Sequence, residues 1–406
     1  MTTPIKKRMV TLNQVATNHK LRLIQSILSK MEYGTIQAEL HDGNRIEVGG
    51  CNSGFIGEIR VHNPKFFSRL LRDGNVGFGE MYMDGWWSTP NLENLLDVIL
   101  LNNHILVNGF PGSGLFRIRQ KFAHLLNANS RKGSSRNIAY HYDLGNEFYR
   151  LWLDDTLTYS SALFKHEKET LSQAQINKYA AICDRFELKQ DDQVLEIGCG
   201  WGGFAEFAAK ERGIKVTGLT ISKEQQEHAR KRVFEAGLAE RVSIHLRDYR
   251  DEQGTYDGIA SIEMIEAVGE KYWPVYFKTL YDRLRPGGVA AIQAITISDS
   301  LFPNYRQGVD FMQKHIFPGG MLPSKNVMVQ QGQSANLKPV CLHSFGGCYS
   351  KTLRLWRSQF NKRWNEISQL GFDKRFKRMW NYYLAASAAS FRANSIDVIQ
   401  VGYKKL

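Results

Sequence analysis

The sequence predicts an α/β protein with a doubly wound, mostly parallel sheet, preceded by a smaller α/β module. Two observations support the sheet. The run VLEIGCGWGG, from Val194 to Gly203, has the composition of a buried strand that ends near an acidic residue and enters a glycine-rich turn. Stretches typical of strands and of helices then alternate after it. In such sheets the turn lies at the crevice where ligands bind.

The elements after the turn follow in order. FAEFAAK has helical composition, GIKVTGLTIS predicts a second strand, and SKEQQEHARKRVFEAG predicts an amphipathic helix that Gly237 stops. Three more strands are predicted within RVSIHLRDYRD, YDGIASIEMIEAVG and LRPGGVAAIQAIT.

The chain of 406 residues is long enough for two domains. Residues 1–110 predict the small module, with strands in GTIQAELHDGNRIEVGG around the turn Asp42-Gly43. Residues 111–137 are rich in Gly, Ser, Asn and basic residues, which predicts a basic linker. Residues 138–406 are predicted to form the second domain. No acidic residue lies between Gly112 and Tyr142, whereas Lys and Arg accumulate there.

Composition narrows the class of protein. The apolar content of 43% is ordinary for a folded chain, and the net charge of +13 favours an anionic partner. No apolar run approaches the roughly 20 residues that span a bilayer, and no apolar segment follows the basic residues of MTTPIKKRMV, so we expect a cytoplasmic protein. Five cysteines without paired spacing predict neither disulfides nor a metal site.

A second basic stretch surrounds Trp356, Phe360 and Trp364, which recur every four residues beside Arg354 and Arg357. This spacing predicts one apolar face of a helix. The face is either a core stripe with a solvated basic back or a membrane-surface helix, and the sequence leaves both open.

The spacing of the glycine-rich turn indicates which ligand it binds. A dinucleotide site has G-x-G-x-x-G, whereas this turn has E-x-G-x-G-x-G-G with Trp201 inside it. The spacing resembles motif I of class I methyltransferases, which bind S-adenosylmethionine. A turn with a purely structural role is the alternative.

The stretch IAYHYDLGNEFYRLWLDDTLTYSSALF, together with the predicted strands, IFPGGMLPS, LHSFGGCYSKTLRLW and FKRMWNYYLAASAASFR, resembles the cyclopropane-fatty-acyl-phospholipid synthase family over essentially the whole chain. The resemblance implies a seven-stranded class I methyltransferase sheet and methyl transfer from S-adenosylmethionine to a cis double bond of an unsaturated phospholipid. It also implies a lipid-associated amino-terminal module, an anionic membrane surface as peripheral partner at the inner face, and no nucleic acid. A homodimer is left open.

The resemblance also assigns the cofactor contacts. Tyr159 and Ser160 are expected beside the methionine moiety, Thr220 and Gln225 at the ribose, and Asp248 and Tyr249 near the adenine. RDYRD is alternatively a surface ion-pair cluster. The complete expected set is Tyr142, Tyr159, Ser160, Glu196, Gly198, Gly200, Trp201, Gly202, Thr220, Gln225, Asp248 and Tyr249.

For catalysis the resemblance implies a bicarbonate ion that accepts a proton. Glu266 and Tyr349 are expected to hold this ion, with backbone N–H groups at Ser161 and Ile295. Two positions depart from the family pattern, which has cysteine at Ser161 and histidine at Gln293. Because glutamine cannot relay a proton, either bicarbonate is held differently or the product is a methyl- or methylene-branched chain, or a furan precursor, without a ring.

Two other classes of function remain as alternatives. A basic methyltransferase could act on RNA, since attraction to phosphates alone accounts for a net charge of +13. The departures at Ser161 and Gln293 are also compatible with a catalytically inactive lipid-binding or scaffold protein.

Overall fold

The computed structural model describes residues 19–109, 144–186 and 188–406. Tyr142 and the basic segment 111–137 lie outside the described residues. The strands are β1 (Tyr33–Glu39), β2 (Arg45–Gly49), β3 (Asn52–Val61), β4 (Trp87–Ser88), β5 (Gln193–Ile197), β6 (Lys215–Thr220), β7 (Val242–Leu246), β8 (Tyr256–Ile262), β9 (Leu284–Ile297), β10 (Leu337–Ser344) and β11 (Ile396–Lys405).

The α-helices are α1 (His19–Leu28), α2 (Phe66–Met83), α3 (Leu92–Leu101), α4 (Asn103–Gly109), α5 (Asn146–Arg150), α6 (Leu171–Cys183), α7 (Gly203–Arg212), α8 (Lys223–Glu235), α9 (Trp273–Arg283), α10 (Phe302–Tyr305), α11 (Phe311–His315), α12 (Lys325–Ser334), α13 (Gly346–Lys362), α14 (Trp364–Gln369) and α15 (Lys374–Arg392).

The chain forms two compact units. The first contains β1–β4, in the order β2-β1-β3-β4, with the helices before residue 110. It also contains Gly308–Met312 and Gly371–Ser395 from the far end of the chain, although the sequence assigns both to the second domain. The reason is a non-local contact, because Arg392 of α15 pairs with the buried Asp97 of α3 at 2.7 Å.

The second unit contains a seven-stranded sheet in the order β10-β11-β9-β8-β5-β6-β7. The neighbours from β9 through β7 pair in parallel, whereas β11 pairs antiparallel with both β9 and β10. Val194, Leu195 and Ile197 of β5 are buried, as a strand covered on both faces requires. The predicted fold class, a mostly parallel α/β sheet with seven strands, is confirmed.

Helices cover both faces of this sheet. Trp273, Phe277 and Leu280 of α9 pack in one apolar core, and Phe204 and Ala208 of α7 pack in the other. Because β5, β6, β8 and β9 run parallel, the loops that follow them meet at one edge of the sheet. The predicted site residues at positions 196–202, 220 and 266 lie at or after the carboxyl ends of β5, β6 and β8.

The helix with the aromatic stripe is α13. Trp356 and Phe360 are fully buried, so the stripe faces the core and the alternative of a membrane-surface stripe is wrong for these two residues. Arg354 and Lys362 of the same helix are exposed. Within residues 19–109, 144–186 and 188–406, no helix is long and apolar enough to cross a membrane.

Candidate active site

The glycine-rich loop follows β5 and leaves its backbone uncovered at one position. Gly198, Gly200 and Gly202 have φ angles of 83°, 52° and 84°, which disfavour residues with a Cβ atom. A Cβ at Gly198 would lie 3.0 Å from Met264 and one at Gly202 would lie 3.0 Å from Ala229. At Gly200 it would meet no described atom within 4 Å. The loop therefore offers open space above Gly200, which fits a ligand lying on the backbone.

Glu196 lies beside this space at the carboxyl end of β5. Its carboxylate is almost fully buried, and Oε2 has no hydrogen-bond partner among the described residues. Burial raises the pKa of Glu196 to about 8, while Lys178 and Arg232 oppose the rise. A buried carboxyl oxygen without a partner is costly, so this group fits a hydroxyl or amine of a bound cofactor.

Thr220 and Gln225 meet at the end of β6. Thr220 Oγ1 donates to Gln225 Oε1 at 2.9 Å, and both side chains are buried. Trp201 is fixed from the other side of the loop, because its Nε1 donates to Asn146 Oδ1 at 2.7 Å. These predicted cofactor residues are thus held in place by neighbours in the same unit.

Asp248 is engaged in an ion pair. Its Oδ1 accepts from Arg250 Nε at 2.8 Å and its Oδ2 accepts from Arg250 Nη2 at 2.5 Å. RDYRD thus contains an ion pair in a half-buried position, and the contact of Asp248 with the adenine stays a prediction. Asp248 and the adjacent Tyr249 follow β7, the edge strand next to β6.

Two groups predicted to hold an anion, Tyr349 and the Ser161 N–H, converge with Gln293 on one carboxylate of the chain, that of Glu263. Its Oε1 accepts from the backbone N–H of Ser161 at 2.8 Å and from Gln293 Nε2 at 2.7 Å. Its Oε2 accepts from the Tyr349 hydroxyl at 2.6 Å. Glu263 is absent from the residues that the sequence predicts, so the structure adds it to the candidate residues.

The backbone of Glu263 is unusual as well. Glu263 directly follows β8 and has a φ of 50°, in the left-handed region that residues other than glycine rarely adopt. Its N–H donates to the carbonyl of Gln293 at 2.8 Å, which fixes this turn against β9. Strained residues of this kind cluster at functional sites.

Gln293 is oriented by a second buried glutamine. Gln400 Nε2 donates to Gln293 Oε1 at 3.0 Å, so the Nε2 group of Gln293 points to Glu263 and, at 3.3 Å, to the carbonyl of Ser161. Neither glutamine is exposed to solvent. Gln293 therefore serves the Glu263 carboxylate as a fixed donor.

Glu266 lies one turn after Glu263 and has a different partner. Its Oε1 accepts from the backbone N–H of Ile295, as expected for the Ile295 donor, but here the acceptor is Glu266 itself. Its buried Oε2 has no described partner. Burial, and then the charge of Glu263, raise the pKa of Glu266 to about 8. Of the groups expected to bind bicarbonate, the Ser161 N–H and Tyr349 thus donate to Glu263, whereas the Ile295 N–H donates to Glu266.

An aromatic wall adjoins these carboxylates. The Tyr159 ring lies 5.3 Å from the Trp356 ring and 5.4 Å from the Tyr149 ring, and Tyr349 lies 6.1 Å from Trp356. Aromatic faces attract cations and exclude water. Ser160, next to Tyr159, is buried and accepts from Lys178 Nζ at 2.7 Å.

The position of Glu263 could have been suspected from the sequence. It ends a predicted strand of a parallel sheet, where functional side chains collect, and EMIE places two acids three residues apart. Nothing in the sequence around Lys178 or Gln400 distinguishes them from other polar residues of an ordinary helix or strand.

The sheet order and the loop after its first parallel strand define the class, an α/β protein with the class I methyltransferase fold. The family model for mycolic acid cyclopropane synthetase matches residues 129–401. The chain therefore belongs to this family and is an S-adenosylmethionine-dependent methyltransferase that acts on lipids.

Three relatives illustrate the range of the family. The chain is 42% identical to a tuberculostearic acid methyltransferase of Mycobacterium tuberculosis, with 84% of this chain and 81% of that protein covered. It is 38% identical to the cyclopropane-fatty-acyl-phospholipid synthase of Escherichia coli, covering 86% and 88%. A solved mycolic acid cyclopropane synthase, in complex with S-adenosylhomocysteine, matches with a TM-score of 0.63 at 29% identity, covering 67% of this chain and 98% of that one.

Proposed function

We propose that this enzyme transfers a methyl group to a cis double bond in a phospholipid acyl chain, and that Glu263 accepts the proton released afterwards. The observation that carries the proposal is the convergence of Ser161, Gln293 and Tyr349 on the Glu263 carboxylate. S-adenosylmethionine, when bound, supplies an electrophilic methyl group. Relatives named for both methyl branching and ring formation support a lipid alkene as substrate.

The residues of this chain account for the remaining steps. The alkene is a weak nucleophile, so it must be held in line with the methyl group in a site without water. Tyr159, Tyr349 and Trp356 provide aromatic faces that tolerate the positive charge left on the acyl carbon. A C–H bond then breaks, its electrons form the new carbon–carbon bond, and the proton moves to Glu263.

The Glu263 carboxylate takes the place expected for bicarbonate. The Ser161 N–H, the Gln293 amide and the Tyr349 hydroxyl already donate to Glu263, so they cannot bind a separate anion at the same time. We therefore expect turnover without added bicarbonate. Burial raises the pKa of Glu263, which suits a group that accepts a proton near neutral pH.

Replacing Glu263 with Gln tests the proposal. Turnover should fall by about 100-fold or more, the usual contribution of a general base, while the affinity for S-adenosylmethionine stays nearly unchanged. The matched control is Glu235→Gln on the exposed end of α8, which should have the wild-type rate. S-adenosylhomocysteine release and calorimetric titration are the measurements. A Glu263→Gln enzyme that turns over like the wild type contradicts the role of Glu263.

The variant Glu263→Gly sharpens the test. It removes the carboxylate, leaves its three donors, and suits the positive φ of 50°. Added bicarbonate or formate should restore part of its activity, whereas Glu263→Gln should not respond because its side chain fills the same space. Stimulation of the unaltered enzyme by bicarbonate would show instead that an external anion is the acceptor.

An open-chain methylene product is the second candidate, supported by the glutamine at position 293 and by the similarity to the tuberculostearic acid methyltransferase. It forms if a hydride first moves from the methylated carbon to the neighbouring cationic carbon, after which the methyl group loses a proton to Glu263 and the C–H electrons form the double bond to the methylene carbon. A ring and a methylene branch formed from one alkene are isomers, so mass alone does not separate them. Proton NMR of the extracted lipid distinguishes ring protons from vinylidene protons.

A further inference from the structure

Lys178 of α6 is a buried amino group that the proposed reaction does not use. Burial lowers its pKa to about 7, so its ammonium form prevails on the acidic side of neutral pH. Its side chain is 0% exposed, although lysine is almost never fully buried without a partner. Nζ donates to Ser160 Oγ at 2.7 Å and lies 4.7 Å from the centre of the Tyr179 ring. A hydroxyl group and a ring face do not compensate a full positive charge in the interior.

The compensating charges come from neighbouring elements. The carboxylates that interact electrostatically with Lys178 are, in order of strength, Glu263, Asp154 and Glu196. Asp154 accepts from the backbone N–H of Thr156 at 3.1 Å and from its hydroxyl at 2.7 Å. Since burial raises the pKa of Glu196 to about 8, Glu196 holds a proton through much of the neutral range. Of the three, the carboxylate of Glu263 has the strongest electrostatic interaction with Lys178.

Hydrogen bonds tie the two residues into one network. Ser160 accepts from Lys178, and the next residue, Ser161, donates its N–H to Glu263. On the other side, Gln400 donates to the backbone carbonyl of Lys178 at 3.4 Å and to Gln293, which in turn donates to Glu263. The Lys178 side chain is thus connected to Glu263 through the segment Ser160–Ser161, and the backbone of Lys178 is connected to it through Gln400 and Gln293.

We infer that Lys178 is a positioning residue whose buried ammonium group serves as the counter-charge of Glu263 and keeps that carboxylate ionised and ready to accept a proton. The inference rests on the proposed function of Glu263 and adds the residue that controls its charge. The other groups facing Glu263 are the neutral donors Tyr349, Gln293 and Ser161, and the carboxyl group of Glu266. Lys178 is thus the one cation among the groups that act on Glu263 in the described residues.

The direction of the pH effect follows from these charges. Burial raises the pKa of Glu263 and the ammonium of Lys178 lowers it. Activity requires ionised Glu263, so kcat should fall as the pH drops through that pKa. Removing the ammonium raises the pKa further, which moves the acidic limb of the kcat profile to higher pH, by about one unit for a nearby unit charge.

The experiment compares kcat–pH profiles of the wild type, Lys178→Met and Gln175→Met. Gln175 lies one turn earlier on α6, is also 0% exposed, and donates to the carbonyl of Ser160 at 3.0 Å. Gln175 is therefore a matched control, because it supports the same segment at Ser160 but carries no charge. We expect Lys178→Met to shift the acidic limb and Gln175→Met to lower the rate without a shift. An unshifted limb in Lys178→Met would make Lys178 merely structural.

A double-mutant cycle on the protein without ligands covers the case in which Lys178→Met fails to fold. Removing one of two buried opposite charges leaves the other less compensated, whereas removing both does not. Lys178→Met/Glu263→Gln should therefore be more stable to urea than Lys178→Met alone. Additive effects would overturn the pairing. This cycle is independent of turnover, so a wild-type rate in Glu263→Gln would remove the proposed base without deciding whether the two charges are paired.

Discussion

Glu263 has an unfavourable backbone conformation, and both oxygens of its carboxylate accept hydrogen bonds. A left-handed φ of 50° costs a residue with a Cβ atom about 1 kcal/mol or more. Glycine would avoid this cost but would leave the donors at Ser161, Gln293 and Tyr349 without their acceptor. The hydrogen bonds from these three donors offset the strain of the turn after β8.

Gly200 offers the opposite case, since there the absence of a side chain is what matters. Gly200→Asn should fold, because Asn tolerates the left-handed region and its Cβ would meet no described atom within 4 Å. The added side chain would enter the space proposed for the cofactor, so we expect at least about a tenfold loss of S-adenosylmethionine affinity, or about 1.4 kcal/mol. Isothermal titration calorimetry measures it.

Gly237→Asn is the control for this change. Gly237 also has a positive φ, of 69°, and open space at its Cβ, but it lies beyond the end of α8. This variant should bind S-adenosylmethionine like the wild type. Equal affinity in a folded Gly200→Asn protein would place the cofactor elsewhere.

At the scale of elements, α13 and the segment 158–162 are joined by Thr352. Its Oγ1 accepts from the N–H of Ala162 at 3.2 Å and donates to the carbonyl of Cys348 at 2.8 Å, and the side chain is fully buried. Thr352→Val keeps the shape but leaves the Ala162 N–H without an acceptor, which should lower the free energy of unfolding by about 1–3 kcal/mol. Urea denaturation measures the change.

Activity in Thr352→Val should fall as well, because Ser161, the neighbour of Ala162, donates to Glu263. Thr279→Val on α9 is the matched control, since among the described residues the Thr279 hydroxyl bonds only to the Val275 carbonyl on its own helix near the surface. The control should change stability by less than about 0.5 kcal/mol. Equal stability of the two variants would show that Thr352 does not join α13 to the loop.

Elements with a local signal are the ones that the sequence predicts well. The strand and turn at Val194–Gly203 and the helix stopped by Gly237 depend on composition and spacing within a few residues, and both are confirmed. The contacts of Glu263 reach Ser161 and Tyr349, which lie 102 and 86 residues away in the chain. No local pattern carries such contacts, so the sequence does not predict them, and the expected roles of Glu266 and bicarbonate stay predictions.

The same reason explains α15. Contacts with residues far away in the chain place it in the first unit: Arg392 pairs with Asp97, 295 residues away, and Arg378 donates to the carbonyl of Trp87, 291 residues away. The stripe at Trp356 and Phe360 is another such case, because periodicity predicts the apolar face but not what covers it.

For the whole molecule, the net charge of +13 predicts attraction to anionic membranes. Binding should require vesicles with anionic lipid and should weaken steeply with salt, at about 1 kcal/mol per engaged Lys or Arg. Neutral vesicles should bind poorly. Sedimentation with both vesicle types, at low and high salt, measures the effect.

Two triple variants with the same change in net charge locate the contact. Arg131, Lys132 and Arg136 lie in the acid-free segment 111–137, whereas Lys210, Lys223 and Lys231 are exposed residues of α7 and α8. Replacing the first three with Gln should weaken vesicle binding by about 3 kcal/mol, or roughly two orders of magnitude, if that segment meets the bilayer. Replacing the second three removes the same net charge. It should have little effect if the segment 111–137, rather than the total charge, governs binding. Equal losses in both variants would make the attraction a property of overall charge, and unchanged binding in both would leave the basic segment without this role.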